Sequence, residues 1–293
     1  MGMAACGEDF TALVDEHGEV WAFGSGGPHL GLGTDADQVL PARVFGRDLF
    51  GDVVVLVATG EKHTAAVAAD GSLHTWGDGS HGKLGHGDLE LRSRPTRLGK
   101  ELLARSPAVQ VACGLKHTVV ITTAGRVWTC GWGFRGRLGH GDAESKWELT
   151  QVGIDLGGAQ IVYVAAGDAH TTAVGADGSV WTWGFGKYGG LGLNDEQDRL
   201  VPTKMEGEAL GGEKVVLMAM GKAHSVAVVD DGTLFVWGNG GYCQLGLGGN
   251  IIRLATAGVN AEAFGGSRVL TVACGYGHTL VVTEDGAIFS FGY

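Results

Sequence analysis

Histidine recurs more regularly than any other side chain capable of chemistry in this 293-residue chain. One histidine, followed by Thr or Ser, stands in each of five similar segments: His63, His117, His170, His224 and His278. This spacing could build a ring of metal ligands or proton carriers. Two imidazoles on one zinc ion must bring their nitrogens within about 4 Å, whereas equivalent positions on stacked sheets lie about 10 Å apart. We therefore predict that these histidines are structural and bond backbone groups of their own or the next repeat.

Other motifs that could carry catalysis are weaker. The glycine-rich stretch 184–192 superficially resembles a nucleotide loop, but such a loop must follow a strand and open a helix, and here another strand follows. The sequence has no GxSxG, HExxH or paired-cysteine pattern, and no base stands beside a nucleophile. It therefore predicts a protein without catalytic residues, cofactor or metal.

Composition indicates many short buried strands joined by tight turns. The chain has 54 Gly and 5 Pro, yet 44% of its residues are hydrophobic, which is too apolar for a disordered glycine-rich linker. A formal net charge of −11 argues against general binding to phosphate backbones. Nucleic acid binding is expected only through a local basic face.

The same composition favours an intracellular protein, cytoplasmic or nuclear. Five scattered cysteines without a CxxC pair do not form a disulfide framework. The N-terminus lacks the basic and apolar regions of a signal peptide, and the longest aliphatic run, 53–58, is far short of the roughly 20 residues of a membrane helix. We predict no membrane association.

The chain consists of internal repeats. Each begins at a glycine 53 or 54 residues after the last: Gly7, Gly60, Gly114, Gly167, Gly221 and Gly275. Within a repeat the hydrophobic period is 2, and an Asp-Gly hairpin turn separates two strands. Four strands per repeat form one antiparallel sheet, and because one sheet cannot bury both faces, successive sheets must stack around an axis. This predicts a single all-β propeller domain over 1–293, with repeats at roughly 1–52, 53–106, 107–159, 160–213, 214–267 and 268–293.

The motifs at this period resemble the regulator of chromosome condensation repeat. The clearest matches are the GxxHT segment at 114–118, the VWxxG strand at 127–131 and the GxLGHG loop at 136–141. The resemblance implies a β-propeller, usually of seven blades, which would need roughly 380 residues at this period. Because the sequence stops at Tyr293, we expect five full repeats, a partial sixth and a ring incomplete relative to seven blades.

Residues that every repeat needs are expected to be scaffold, and function should lie where repeats differ on one face. The predicted scaffold includes four tryptophans: Trp76, Trp128, Trp183 and Trp237. In an antiparallel blade, alternate turns lie at opposite ends, so the GxxH turns and the GxxGxLG loops share one end, which we call the loop face. Basic and aromatic residues there are candidates for partner binding: Lys62, Lys83, Lys116, Trp132, Phe134, Arg135, Arg137, Lys187, Tyr188 and Tyr242. The alternative is ordinary solvated loop charge.

The resemblance implies three kinds of function. The family includes exchange factors for Ran-type small GTPases, domains of HECT-type ubiquitin ligases and a plant ultraviolet-B photoreceptor. Exchange factors of this family use a protruding insertion, for which the even spacing leaves no room, and the photoreceptor requires tryptophans where Lys62 and Lys116 stand. We expect a protein-binding module or regulatory scaffold without enzymatic activity. Its partner could be a small GTPase, chromatin or a ubiquitin-pathway component; its oligomeric state stays open.

Overall fold

The strands of this protein form six separate antiparallel sheets, each connected in sequence order. The structure is a computed structural model and describes residues 3–46, 49, 51–99, 106–154 and 156–293. The chain folds into two compact units. The first unit contains Met1–Phe134 and Glu144–Val152, and the second contains Arg135–Ala143 and Gly153–Tyr293. We describe the two units separately and call each sheet a blade.

The first unit contains three four-stranded blades. Blade 1 is Met3–Cys6 (β1), Phe10–Val14 (β2), Val20–Gly24 (β3) and Gln38–Arg43 (β4). Blade 2 is Val54–Thr59 (β5), His63–Ala68 (β6), Leu73–Gly77 (β7) and Arg92–Arg97 (β8). Blade 3 is Ala108–Cys113 (β9), His117–Thr122 (β10), Val127–Gly131 (β11) and Lys146–Gln151 (β12). Short 3-10 turns lie at Pro28–Leu30, Ser80–Gly82 and Phe134–Gly136, the last of which spans the boundary between the units.

The second unit contains two four-stranded blades and one three-stranded blade. Blade 4 is Ile161–Ala166 (β13), His170–Gly175 (β14), Val180–Gly184 (β15) and Arg199–Lys204 (β16). Blade 5 is Val215–Met220 (β17), His224–Val229 (β18), Leu234–Gly238 (β19) and Arg253–Val259 (β20). Blade 6 is Val269–Cys274 (β21), His278–Thr283 (β22) and Ile288–Gly292 (β23). The 3-10 turns of the second unit lie at Lys187–Gly189, Gly207–Leu210 and Ala261–Phe264.

The prediction of all-β propeller blades is confirmed, but the predicted count was wrong. The sequence suggested five full repeats, a partial sixth and a ring incomplete relative to seven blades, whereas the structure has six blades. The sixth repeat lacks only an outer strand. Its three strands pair along two continuous antiparallel ladders, as in His278↔Gly292 and Val281↔Phe289. A sheet with three strands and a packed face is sufficient for a blade. The assignment of 1–293 to one domain stays a prediction.

Packing between neighbouring blades explains why the strands are buried on both faces. Every residue of β6, β10, β14 and β18 is buried. In the first unit, Val67 and Leu73 of blade 2 pack in one cluster with Val111 and Val120 of blade 3. In the second unit, clusters of the same kind join blades 4 and 5 and blades 5 and 6. Small aliphatic side chains predominate because two sheets must approach closely along their full length.

The hairpin turns far from the loop face use aspartate for structure. Asp70 accepts a hydrogen bond from the Ser72 amide at 2.8 Å, and Asp231 accepts one from the Thr233 amide at 2.7 Å. Hydrogen bonds from Ser72 hold the pKa of Asp70 below its usual value. In such turns the aspartate side chain bonds backbone amides that would otherwise pair with a neighbouring strand. The acidic residues at this end of the blades are therefore part of the turn geometry.

The glycine that opens each repeat permits close contact between adjacent turns. In blade 2 a Cβ atom on Gly60 would lie 2.2 Å from Cε1 of His63 and 2.4 Å from the carbonyl oxygen of Gly114 in blade 3. In blade 5 a Cβ on Gly221 would lie 2.2 Å from Cε1 of His224. No side chain fits at either position, because the imidazole of the same repeat lies directly against the glycine. The glycine that recurs every 53 or 54 residues is therefore required because a larger residue would not fit there.

We predict that Gly60→Ala destabilises the protein by about 1–3 kcal/mol, the usual cost of overpacking a core. The matched control is Gly99→Ala in the same repeat, where a Cβ meets nothing within 4 Å. The free energy of unfolding from urea denaturation, measured for both variants, provides the comparison. Equal values for the two variants would show that the glycine contact does not constrain the fold.

Candidate functional site: the loop face

The repeated histidines form hydrogen-bond chains between blades. In the first unit, the hydroxyl of Thr118 donates to the carbonyl of Lys83 at 2.7 Å and lies 3.0 Å from Nε2 of His63. Since the hydroxyl has donated its proton, it accepts from Nε2, which must therefore carry the hydrogen. The partner is a side-chain hydroxyl of the next blade, where the sequence analysis predicted backbone groups.

The same chain of hydrogen bonds occurs twice in the second unit. His170 lies 3.1 Å from the hydroxyl of Ser225, which donates to the carbonyl of Gly190 at 3.0 Å. His224 lies 3.1 Å from the hydroxyl of Thr279. His117 is also buried, and His278 is exposed. Thr118, Ser225 and Thr279, each directly after a repeated histidine, thus accept from the histidine of the blade before.

These imidazoles are held neutral. Burial lowers the pKa of His63 and of His170 to about 3, and that of His224 to about 4. Nε2 of each imidazole is engaged by a hydroxyl group of the next blade. Within the described residues, no group of three or more His, Cys, Asp or Glu side chains is arranged to hold a metal.

Three of the four predicted scaffold tryptophans have one role. Trp76, Trp183 and Trp237 are fully buried, and each indole donates to a loop carbonyl, as Trp76 does to His29 at 2.9 Å. Trp128 does not belong with them, because it stands two residues earlier in its strand. In blade 3 the equivalent position holds Cys130, whose thiol lies 3.5 Å from the carbonyl of Lys83.

One grouping of Ser, His and Asp resembles a hydrolase triad but has the wrong geometry. Nε2 of His74 lies 3.1 Å from the hydroxyl of Ser72 and 3.2 Å from a carboxylate oxygen of Asp52. An acyl-transfer triad needs the carboxylate on one imidazole nitrogen and the nucleophile on the other. Here both contacts are to the same nitrogen, and Ser72 is buried. This arrangement does not activate a nucleophile.

Two of the predicted binding residues are buried. Lys83 is 2% exposed, and its ammonium group bonds a carboxylate oxygen of Asp78 and, at 2.7 Å, the hydroxyl of Ser80. Burial alone would raise the pKa of Asp78, but hydrogen bonds from Lys83 and Ser80 hold it at about 2. Arg137 is 3% exposed and donates to the carbonyl of Asp168 at 3.0 Å. Neither side chain can meet a partner, so we omit both from the candidate surface.

The structure brings other predicted residues of the first unit together in an aromatic stack. His81 and Trp132 lie with ring centroids 5.0 Å apart, and Trp132 and Phe134 lie 5.1 Å apart, with interplanar angles of 26° and 17°. The ammonium of Lys116 lies 5.3 Å from the Trp132 ring centroid, a cation–π contact. Phe134 is 45% exposed. These four residues form what we call the stack surface. Lys62, which is exposed, lies in the GxxH turn of blade 2 beside Glu8, Asp9 and Glu61.

Loop residues of the second unit also pair cations with aromatic rings. The guanidinium of Arg135 lies 5.0 Å from the Phe185 ring and 3.0 Å from a carboxylate oxygen of Asp198. The same type of contact joins Lys187 to Tyr188 and Lys222 to Tyr276, at 4.9 and 4.1 Å. Tyr242 packs against Tyr293 with ring centroids 5.6 Å apart.

The side chain at the tip of the GxxG loop is held on unusual backbone. In blades 2, 3 and 4 this residue stands four positions after the glycine that ends the third strand and has φ near +60°: His81, Arg135 and Tyr188. A left-handed conformation costs a non-glycine residue roughly 1–2 kcal/mol. Such strain often persists at functional sites. The sequence analysis missed His81, although its offset from Gly77 matches that of Arg135 from Gly131.

Comparison with known proteins identifies a family whose members share these sheets and loops. Residues 3–293 match the RCC1-like domain. The chain belongs to the RCC1-like family. It is 39% identical over 241 residues to the ultraviolet-B receptor UVR8 of Arabidopsis thaliana, covering 82% of this chain and 53% of that protein. It is 34% identical over 290 residues to the E3 ubiquitin-protein ligase HERC2 of Homo sapiens, covering 98% of this chain and 6% of the ligase.

Two solved structures have the same fold. Human WBSCR16 superposes with a TM-score of 0.87 at 27% identity, covering 99% of this chain and 76% of that one. Yeast RCC1 (Prp20), solved bound to Kap60, superposes at 0.85 with 20% identity, covering 99% and 69%. This RCC1-like chain spans about half the length of UVR8. In its described part, no helix has the length and apolar character needed to cross a bilayer.

We predict that stability falls as the pH drops from about 6.5 towards 4.5. Since burial lowers the pKa of His63, His170 and His224 to about 3 or 4, the unfolded chain binds protons in this window that the folded chain does not. Each of the three then lowers the free energy of unfolding by up to about 1.4 kcal/mol per pH unit. Urea denaturation between pH 7.5 and 4.5 measures the slope.

The matched variant for this test is His224→Phe, because blade 1 naturally carries Phe10 at the equivalent position. It removes one titrating group and should reduce the slope by up to about 1.4 kcal/mol per pH unit, while losing the bond to Thr279 at every pH. Asp78 and Asp88, with pKa values of about 2, lose their stabilising effect only below about pH 4. A flat profile between pH 6.5 and 4.5 is incompatible with neutral buried imidazoles.

Proposed function

We propose that this RCC1-like chain is a non-catalytic protein-binding module and that the stack surface is its main contact with a partner protein. The observation that carries the proposal is the aromatic stack of His81, Trp132 and Phe134 beside Lys116. Aromatic side chains with adjacent cations are typical of residues that dominate binding energy. Phe134 is 45% exposed, and the core residues of blades 2 and 3, whose loops carry the stack, pack in one cluster.

The backbone of the loops supports the same proposal. His81 is held at φ 61° although glycine would adopt this conformation without strain,. The side chain stacks on Trp132 of the next blade at the loop face and is not among the apolar residues that pack between blades 2 and 3. A strained, ordered, outward-facing ring is preorganised, which reduces the entropy lost on binding.

The functions of the relatives support a binding role for this chain more than any one enzymatic activity. UVR8 is a receptor and HERC2 a ubiquitin ligase, so the shared RCC1-like region serves different proteins. For this chain we do not propose light sensing, because Lys62 and Lys116 occupy positions where the photoreceptor function needs tryptophan. Nor do we propose catalysis, since the Ser72, His74 and Asp52 grouping has no productive geometry. We propose a nuclear or cytosolic location.

We predict that the combined variant Lys116→Glu and Phe134→Ala loses its partner. Loss of a binding hot spot costs about 2 kcal/mol or more, which is about thirtyfold in affinity. The measurement is quantitative affinity capture from cell extract, followed by the Kd of each captured protein with purified variants. The variant should unfold at the same temperature as the wild type, because the substituted side chains are exposed or half-buried.

The matched control is Arg126→Glu, an exposed basic residue of blade 3 at the opposite end from the loop face. It makes the same charge change without touching the stack surface and should retain every partner. Identical partner lists for the combined variant and the control would remove the stack surface from consideration. GDP release from a Ran-type GTPase, measured in parallel, tests the exchange-factor alternative; stimulation well above background would favour that function instead.

A further inference from the structure

Three large apolar side chains are exposed where the outer strands of blades 2 and 3 meet the loop between them. Leu89 and Leu91 follow the GxLGHG loop of blade 2, and Trp147 lies in β12, the outer strand of blade 3. They are 47%, 57% and 51% exposed, and all three belong to the first unit. We call these three residues the rim patch. Single exposed apolar residues are common on protein surfaces, but neighbouring ones often mark a contact with another molecule.

Backbone contacts bring the two sides of the rim patch together. The amide of Gly87 donates to the carbonyl of Trp147 at 2.9 Å, and Leu89 follows Gly87 by two residues. A Cβ on Gly82 would lie 2.3 Å from Cα of Trp147, and a Cβ on Gly79 would lie 2.9 Å from the carbonyl carbon of Leu89. The amide of Gly82 donates to the carbonyl of Gly79 at 2.9 Å. Trp147 and Leu89 therefore flank one short turn, and Leu91 is two residues further along the chain.

Leu91 occupies a position that other blades use for a structural hydrogen bond. The residue directly before the outer strand accepts from the amide of a loop glycine in three blades: Asp37 from Gly26 at 2.7 Å, Ser145 from Gly133 at 3.3 Å and Asp198 from Gly186 at 3.0 Å. Leu91, like Ile252 of blade 5, has no acceptor to offer. Two residues earlier, where blade 2 has Leu89, the same three blades carry polar or small residues: Asp35, Ala143 and Glu196. The scaffold therefore does not account for the two leucines, which favours a role in recognition.

The charge beside the rim patch is negative. Glu90 lies between the two leucines and is exposed. Arg92, the next basic residue, donates to both carboxylate oxygens of Asp88, at 2.9 and 2.8 Å. The ammonium of Lys146 lies 3.6 Å from a carboxylate oxygen of Glu144. Because the chain has a formal net charge of −11, a second copy would bring further negative charge to this surface. A basic partner is therefore favoured over self-association.

We propose that the rim patch is a docking site, separate from the stack surface, for a segment of a partner protein that carries large apolar side chains next to Arg or Lys. The apolar side chains pack on Leu89, Leu91 and Trp147, and removing this surface from water supplies most of the affinity. A basic side chain of the segment pairs with Glu90. That pair is exposed, so it contributes little affinity and mainly fixes the orientation of the segment.

Fluorescence anisotropy with a labelled synthetic peptide and the purified full chain tests this inference. The probe contains Arg-Leu-Leu-Arg between short Gly-Ser segments. One control peptide has both Leu replaced by Ser, and the other has both Arg replaced by Gln. We expect the probe to bind about tenfold more tightly than the Ser peptide, because the apolar contact is lost. We expect it to bind about threefold more tightly than the Gln peptide, because an exposed ion pair contributes little.

The protein variant for this test borrows the side chains of blade 3. Leu89→Ala combined with Leu91→Ser gives blade 2 the residue types of Ala143 and Ser145. The new hydroxyl group can accept from a loop glycine as Ser145 does, so the variant should unfold at the wild-type temperature or above. It should weaken probe binding about tenfold. Glu90→Gln should weaken probe binding about threefold.

The matched control is Phe134→Ala in the stack surface, which should leave probe binding unchanged. Equal affinity for the probe and the Ser peptide overturns the inference, and so does unchanged probe binding by the variant Leu89→Ala and Leu91→Ser. A wild-type dimer in sedimentation experiments that this variant dissociates also overturns it, because a second copy would then cover the rim patch. If the probe binds the rim patch but captured partners do not depend on Lys116 and Phe134, this inference stands and the proposed function fails. If captured partners depend on Lys116 and Phe134 but the probe does not distinguish the rim variant, the proposed function stands and this inference fails.

Discussion

The contact between adjacent repeats is the constraint on which the structure depends. A histidine of one blade bonds a hydroxyl of the next, and that hydroxyl also bonds a carbonyl in the loop of the first, as with His63, Thr118 and Lys83. The contact is possible only because a glycine lies under the imidazole. A blade therefore cannot place these groups without its neighbour, which is the interdependence expected of repeat proteins.

This constraint explains what the sequence could predict. The spacing of Gly60, Gly114 and the later glycines identifies the blades, and the period of 2 identifies the strands, because both follow directly from the packing of sheets. The predicted blade count was wrong at the sixth repeat, because a repeat without its glycine loop suggests an incomplete unit. Three strands with paired ladders were enough for a sheet.

The candidate site was harder to predict, because knowing that a residue lies in a loop of one face does not tell whether its side chain is buried or exposed. Lys83 and Trp132 both lie in loops of the predicted face, yet only the structure shows that Lys83 is enclosed with Asp78. Stacking between His81 and Trp132 joins residues of two repeats, and no pattern within one repeat could reveal it. Trp128 stays a predicted scaffold residue, although its strand carries Cys130 at the position where the other three tryptophans stand.

The strained loop tips have an evolutionary consequence. His81, Arg135 and Tyr188 share one backbone conformation but no chemistry, and none of them is among the histidines and hydroxyl groups that bond one blade to the next. Mutations at these three codons can therefore alter recognition without changing the hydrogen bonds between histidines and hydroxyl groups of neighbouring blades. A lineage could acquire a new interaction by a few substitutions at the tips, and a combinatorial library restricted to them would explore recognition on an unchanged scaffold.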